Sequence, residues 1–134
     1  MIYNTDFVTN SSSTSFVLFT NDINSFTLTK FLEALKVDSD SPLYIIYKEL
    51  YQLIKNNMYE KTIIKFEELN TPDFRFFDEF SKDGKKEIQK RIKNGEKAFI
   101  GTIEDDTYIG AYFMRKRIVV IGDTFYFNWE PDVY

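Results

Sequence analysis

Apolar and polar positions show a helical period in the middle of the chain and a period of two in its last part. The helical period is clearest after Ser41-Pro42, a cap followed by a first-turn proline. There the apolar side chains recur every three or four residues until about Asn56-Asn57, where we predict the helix to end. From Lys97 onward the period is two, which is typical of strands. The positions that carry the helical pattern are Leu43, Ile46, Tyr47, Leu50, Tyr51 and Ile54.

Further helices are predicted on either side of this one. Helical spacing of leucines and a phenylalanine predicts a short helix over about Thr27–Val37. A basic helix is expected from a Ser81 cap to Asn94, with Gly95 as its stop. Thr71-Pro72-Asp73 is another helix start. Residues 58–70 fit a short strand or irregular segment, although Ile63, Phe66 and Leu69 would also form one face of a helix.

The last third of the chain predicts an antiparallel meander, because its strand patterns are joined by connectors of about two residues. A fifth strand, Phe16–Phe19, is apolar and aromatic and is expected to join the same sheet. Together these elements predict a single α+β domain over residues 1–134, with three or four helices on one face of the sheet. The strands of the meander are predicted over Ala98–Glu104, Thr107–Met114, Arg117–Ile121 and Thr124–Trp129.

Just before the Phe16–Phe19 strand lies an unbroken run of small polar residues. Hydroxyl and amide side chains bond their own backbone and favour turns, so the run predicts a loop that leads into the strand. The same groups can turn toward an anion or form an adaptable contact surface. The simpler interpretation is a connecting turn, and the alternative is that the run is a binding site or a modified segment. Its members are Asn10, Ser11, Ser12, Ser13, Thr14 and Ser15.

The run belongs to a longer element, Asp-Phe-Val-Thr-Asn followed by serines and Phe16. Over Asp6–Phe16 the chain resembles a group of small, mostly uncharacterised microbial proteins that open with this element. Thr14 stands where the serine run of that group is usually unbroken. The resemblance implies that the N-terminal stretch is a unit, and it brings no established activity.

Composition removes several kinds of chemistry. The chain of 134 residues has no Cys and no His, which excludes disulfides, thiolate or imidazole zinc sites and His-based catalytic triads. A net charge of −4 disfavours general nucleic-acid binding. No apolar run approaches the roughly 20 residues of a membrane span. No secretory signal layout is present either, so we expect a cytoplasmic protein with no membrane partner.

The remaining chemistry is sparse. The sequence identifies no cofactor, no metal site and no catalytic group. Carboxylate-dependent hydrolysis through Glu104, Asp106 or Asp123 is a third hypothesis, although adjacent acidic residues in a hairpin tip point apart.

Aromatic residues are abundant, with 14 Phe and 9 Tyr. In the segment Phe74–Phe80, helical spacing leaves Phe76 or Phe80 off the buried side, and an exposed aromatic there indicates an interface. We therefore expect a non-enzymatic binding protein that occupies or masks a protein partner. A phage or mobile-element inhibitor of host defence is one setting. The alternative is that the loop Asn10–Ser15 binds a phosphate or nucleotide-like ligand or is itself modified.

Overall fold

The computed structural model of the protein describes residues 13–61, 77–78, 80–104, 108–113 and 116–130. Within these residues the chain forms five strands and four α-helices. A short 3-10 helix, Ile23–Ser25, precedes the first α-helix. The elements in chain order are β1 (Ser13–Phe19), α1 (Leu28–Leu35), α2 (Tyr44–Asn57), β2 (Met58–Lys61), α3 (Lys82–Lys93), β3 (Ala98–Glu104), α4 (Tyr108–Tyr112), β4 (Ile118–Ile121) and β5 (Tyr126–Trp129).

The strands form one antiparallel sheet in the order β2-β3-β1-β5-β4. The predicted α+β class and the participation of the N-terminal strand are therefore confirmed. β1 lies at the centre, where Phe16 is opposite Gly101 on one side and Trp129 on the other. The continuous apolar run of β1 fits this position, since a central strand covered on both faces has no polar side.

The predicted meander is wrong in one strand. Residues predicted as the strand Thr107–Met114 contain the helix α4 instead. The physical reason is visible in the burial pattern: Ile109 and Phe113, four residues apart, are both buried, whereas Tyr108 and Tyr112 are exposed. That spacing is helical, and the site beside β3 where the predicted strand would pair is occupied by β1. The β4–β5 hairpin is confirmed.

Helices cover both faces of the sheet. On the first face, α1, α2 and α4 bury Phe31, Leu50 and Ile109 in the cluster that contains Phe16 and Leu18 of β1. Three helices on one face agree with the predicted number, although α4 is one of them and the basic helix α3 is not. The helix α3 lies on the opposite face, where its buried isoleucines, Ile88 and Ile92, pack with Val17, Phe19 and Tyr126.

The ends of the helices follow local capping chemistry. The Thr27 hydroxyl accepts from Lys30 N at 3.2 Å at the start of α1. The Ser81 hydroxyl accepts from Gly84 N at 3.1 Å at the start of α3. Gly95 follows α3 with φ 76°, a left-handed conformation that glycine adopts without strain. The predicted bounds of these helices are confirmed to within two residues.

Two boundaries differ from the sequence reading. β1 begins at Ser13 instead of Phe16, because the hydroxyl residues pair with β3. β2 occupies the start of the segment that the sequence left ambiguous. The rest of that segment, residues 62–70, and the predicted helix start Thr71-Pro72-Asp73 lie outside the described residues.

Candidate functional site

The outer edge of β4 is open. β4 is the last strand in the sheet order, so only β5 pairs with it among the described residues. Gly122 N donates to Phe125 O at 2.9 Å, which closes the hairpin with a hydrogen-bonded pair. Since such pairs alternate along an antiparallel ladder, the backbone N–H and C=O groups of Val119 and Ile121 point away from β5. These groups are available to another strand.

The side chains at the same two positions are apolar and exposed. Val119 is 42% exposed and Ile121 is 66% exposed. They lie opposite Asn128 and Tyr126, so they are on the α3 face of the sheet. Their neighbours in β4 point to the other face and are buried. An apolar edge strand with free backbone groups is a template for pairing with another chain.

Beside this edge, a buried polar stripe runs along β5 beneath α3. Its members are the alternate residues Tyr126, Asn128 and Glu130, each at most 2% exposed. Asn128 Nδ2 donates to the Tyr126 hydroxyl at 2.8 Å. The Arg91 guanidinium of α3 lies 4.5 Å from the centre of the Tyr126 ring, a cation–π distance. Arg91 therefore links α3 to the stripe through its contact with the Tyr126 ring.

Arg117 links the stripe to the open edge. Its Nε lies 3.1 Å from Glu130 Oε1, and its Nη2 donates to the Ser81 hydroxyl at 2.9 Å. The Glu130 side chain is fully buried, whereas the Arg117 side chain is half exposed. Arg117, the residue immediately before β4, is therefore held by Glu130, which follows β5, and by Ser81, which caps α3.

The Glu130 carboxylate is held mainly by electrostatics. Neither of its oxygens has a hydrogen-bond partner among the described residues, and the same is true of Asn128 Oδ1. A buried charged group with free acceptors is costly unless it is paired, so Arg117 is essential to this arrangement. Gly84 of α3 makes the room for it, since a Cβ at that position would collide with Glu130 Oε2.

Burial is the main cause that raises the pKa of Tyr126 above its ordinary value of 10.0. The negative charges of Glu87 and Glu130 raise this pKa further, while the Asn128 hydrogen bond and Arg91 lower it. The phenol is therefore protonated at neutral pH and acts as a neutral hydrogen-bonding group. Its role in the stripe is structural, because a phenol held in this form is a poor base.

The hydroxyl residues of the predicted polar loop have a different setting from the one expected. Ser13, Thr14 and Ser15 are not in a loop: they belong to β1 and pair with Glu104, Ile103 and Thr102 of β3. Ser15 is buried. Asn10, Ser11 and Ser12, together with the rest of the Asp6–Ser12 element, lie outside the described residues.

Ser15 nevertheless lies on the same face of the sheet as the polar stripe. Phe16 lies opposite Trp129, so the next position along the register places Ser15 beside Glu130. Ile118 lies opposite Trp129 on the other side, so Arg117 is the next residue in the same row. Of the candidate residues, the structure therefore brings Ser15 close to the Arg117–Glu130 pair.

The predicted exposed aromatic of the segment Phe74–Phe80 is not Phe80. Its side chain is only 4% exposed and packs with Ile88 and Ile92 on the α3 face. Phe80 is buried because α3 packs against it, and the spacing of aromatic residues within the segment does not predict where α3 packs. Phe76, the other candidate, lies outside the described residues.

The carboxylates of the third hypothesis are widely separated. Glu104 lies opposite Ser13, at one end of β1. Asp123 is in the hairpin turn beyond the Phe19–Tyr126 pair, at the other end. Six residue-to-residue steps along β1 separate these ends, or about 20 Å at the usual rise, so the two groups cannot act on one bond. Asp106 lies outside the described residues, and no group of three or more acidic side chains within the described part could hold a metal ion.

A polar groove lies at the end of the sheet near the β4–β5 turn, with a volume of about 460 Å³. It contains Arg91 together with the acidic side chains of Asp22, Glu96 and Asp123. Arg91 donates to Glu96 at 2.9 Å and to Glu87 at 2.8 Å, so its charge is already neutralised. The groove therefore has no unpaired cation for a phosphate-like ligand among its lining residues.

Comparisons with known proteins give no relative. No protein-family model matches the chain, and neither a curated protein nor a solved structure matches it. Among the described residues, no helix has the length and apolar character needed to cross a membrane.

Sequence reasoning missed the open edge, Arg117 and Glu130. In the sequence this strand is the apolar run Ile118–Ile121, in which no position is polar, and this pattern points away from an open edge. Such a run predicts a strand buried on both faces. In β4 it lies at the edge of the sheet, where two of its four side chains are left exposed.

Proposed function

We propose that the protein is a non-enzymatic binding protein that acts by occupying a protein partner, whose extended segment pairs with the open edge of β4. One observation carries the proposal: at Val119 and Ile121, backbone groups that pair with no strand of the described residues coincide with exposed β-branched side chains. Strand addition of this kind takes affinity from main-chain hydrogen bonds and specificity from alternate side chains.

The chemistry of the edge defines the partner segment. A strand added to Val119 and Ile121 gains up to four main-chain hydrogen bonds, each with a net stabilisation of about 0.5–1.5 kcal/mol. Apolar side chains opposite the two exposed residues would remove their surface from water. Arg117 at one end and Asp123 at the other favour an acidic and a basic residue, respectively, in the partner segment.

The setting that we hypothesise is inhibition of a host defence by a phage or mobile element, through masking of a defence protein. The small size and the acidic charge of −4 motivate it. The absence of His and Cys from the chain supports a role that needs no catalysis.

The test is a pair of substitutions with the same chemistry at nearly equal exposure. Ile121→Lys places a charge on the edge, where lysine disfavours strand pairing. Ile45→Lys makes the same change on α2, where Ile45 is 64% exposed compared with 66% for Ile121. Both variants are expected to melt like the wild type, because neither side chain is buried.

Tagged wild type and both variants would be used to recover partners from the native cell, with identification by mass spectrometry. We expect one or more proteins to bind the wild type and Ile45→Lys and to be lost from Ile121→Lys. Equal recovery of every bound protein by both variants would rule out the β4 edge as the binding surface.

A further inference from the structure

We infer that the open edge of β4 is self-complementary and pairs, antiparallel, with the same edge of a second copy of the chain. This inference rests on the proposed function, because it uses the same edge. In the absence of a partner protein, a second copy of the chain would occupy that edge. The observations that carry it are the direction of the backbone groups, the order of the exposed side chains and the charges at the two ends of the strand.

The backbone geometry permits a two-fold axis at Val120. The outward N–H and C=O groups belong to Val119 and Ile121, one residue on either side of that axis. In an antiparallel pair centred there, Val119 of one copy lies opposite Ile121 of the other, and each such pair exchanges two hydrogen bonds. In the dimer, the outward N–H and C=O groups of Val119 and Ile121 are therefore hydrogen-bonded in each copy, and the β4–β5 ladder does not change.

The side chains agree with the same register. Val119 and Ile121 project to one face of the sheet, so a two-fold pair places four exposed β-branched side chains next to one another. The two sheets would continue into one sheet through adjacent β4 strands. Such pairing would remove the exposed apolar edge that each copy has alone.

The ends of the edge have opposite charges. Arg117 precedes β4 and Asp123 follows it, and in the register centred on Val120 each lies opposite the other in the second copy. A shift by two residues would instead place a charged residue opposite an aliphatic one. A parallel pair would place Arg117 beside Arg117, which is unfavourable. The sequence of the edge therefore selects the antiparallel register centred on Val120.

Arg117 can contribute to this contact while it keeps its contacts within its own chain. Nε and Nη2 are used by Glu130 and Ser81, yet the side chain is still 50% exposed. A guanidinium has five N–H donors in all, so donors remain for a carboxylate across the edge. Because the edge spans only four residues, the dimer is expected to be weak and reversible. A longer partner segment could then displace the second copy.

The experiment is sedimentation equilibrium of the full chain over a wide concentration range. The wild type is expected to approach twice the chain mass of 15.9 kDa with rising concentration. The exposed control Ile45→Lys should associate equally. Two double variants probe the edge: Val119→Lys with Ile121→Lys, and Val119→Glu with Ile121→Glu. Each alone should remain monomeric, because like charges then face each other across the axis.

An equimolar mixture of the lysine and glutamate variants should associate again, since each lysine then faces a glutamate. A milder variant, Asp123→Lys, changes only an exposed turn residue. It should weaken association of the chain several-fold, because a second positive charge then lies opposite Arg117. Circular dichroism and thermal melts would verify that each variant is folded.

Three results would overturn the inference: a wild type that remains monomeric at every concentration, double variants that associate like the wild type, or a mixture that does not associate. The proposed function is judged separately from partner recovery. A monomeric wild type whose partner is lost in Ile121→Lys would refute only self-pairing. A wild type that dimerises while Ile121→Lys keeps every recovered protein would refute only the proposed function.

Discussion

Replacement of Gly84 by alanine tests how α3 is attached to the sheet. Gly84 is the third residue of α3 and is buried against β5. In an ordinary helix, alanine at a glycine position stabilises the protein by roughly 0.5–1 kcal/mol. Here a Cβ would collide with Glu130 Oε2 and lie 3.0 Å from Asn128 Nδ2 and 3.4 Å from Phe80 Cβ. We therefore expect the sign of the effect to reverse.

The magnitude follows from two opposing contributions. An extra methyl group in a closely packed interior typically costs about 1–3 kcal/mol. The Glu130 carboxylate has little freedom to move away, because its side chain is fully buried and pairs with Arg117 at 3.1 Å. After the helix-propensity gain is subtracted, Gly84→Ala should lower the free energy of unfolding by up to about 2.5 kcal/mol.

The assay is urea denaturation of four proteins: the wild type, Gly84→Ala, Glu130→Ala and the double variant. In the Glu130→Ala background the colliding carboxylate is absent, so Gly84→Ala should cost much less or become stabilising. The cycle isolates the interaction between the two positions. If Gly84→Ala stabilises the protein that still has Glu130, the packing of α3 on this carboxylate is refuted.

Two other predictions concern the core and the response to alkaline pH. Phe127→Ala should cost about 3–5 kcal/mol in chemical denaturation, because its ring is fully buried in the cluster that contains Phe16 and Leu18. Tyr108→Ala, at a residue that is 70% exposed, should change stability by less than about 0.5 kcal/mol. Similar losses for both variants would contradict the assignment of these side chains to core and surface. The pKa of Tyr126 is raised in the folded protein, so the stability linked to this proton is complete below about pH 10 and is lost as pH rises through the folded pKa. Unfolding free energies measured from about pH 8 to about pH 11 should therefore fall less steeply for Tyr126→Phe than for the wild type, and parallel profiles would show that this phenol does not contribute.

The sequence by itself determined the elements whose signals are local. The caps Thr27 and Ser81 and the stop at Gly95 define helix ends through contacts within a few residues, so their positions could be predicted. The β4–β5 hairpin was predictable for the same reason, since a short polar connector with glycine joins two apolar runs. The apolar run Phe16–Phe19 indicated a buried strand, which β1 confirms.

The segment around α4 shows where local signals fail. Its apolar residues fit alternation and helical spacing equally well, so sequence periodicity could not distinguish a strand from a helix. The choice was made by the tertiary structure, because β1 occupies the place beside β3 that a fourth meander strand would need. Ile109 and Phe113 then enter the core from one side of a helix.

The candidate site was decided almost entirely by tertiary structure. Whether an apolar strand is central or at the edge depends on the order of strands in the sheet, and that order places β1 in the middle and β4 at the end. The burial of Glu130 depends on α3, which is distant from it in sequence, and on the space left by Gly84. Long-range contacts of this kind leave no periodic trace in the chain, so sequence pattern alone could not identify the open edge or the Arg117–Glu130 pair beside it.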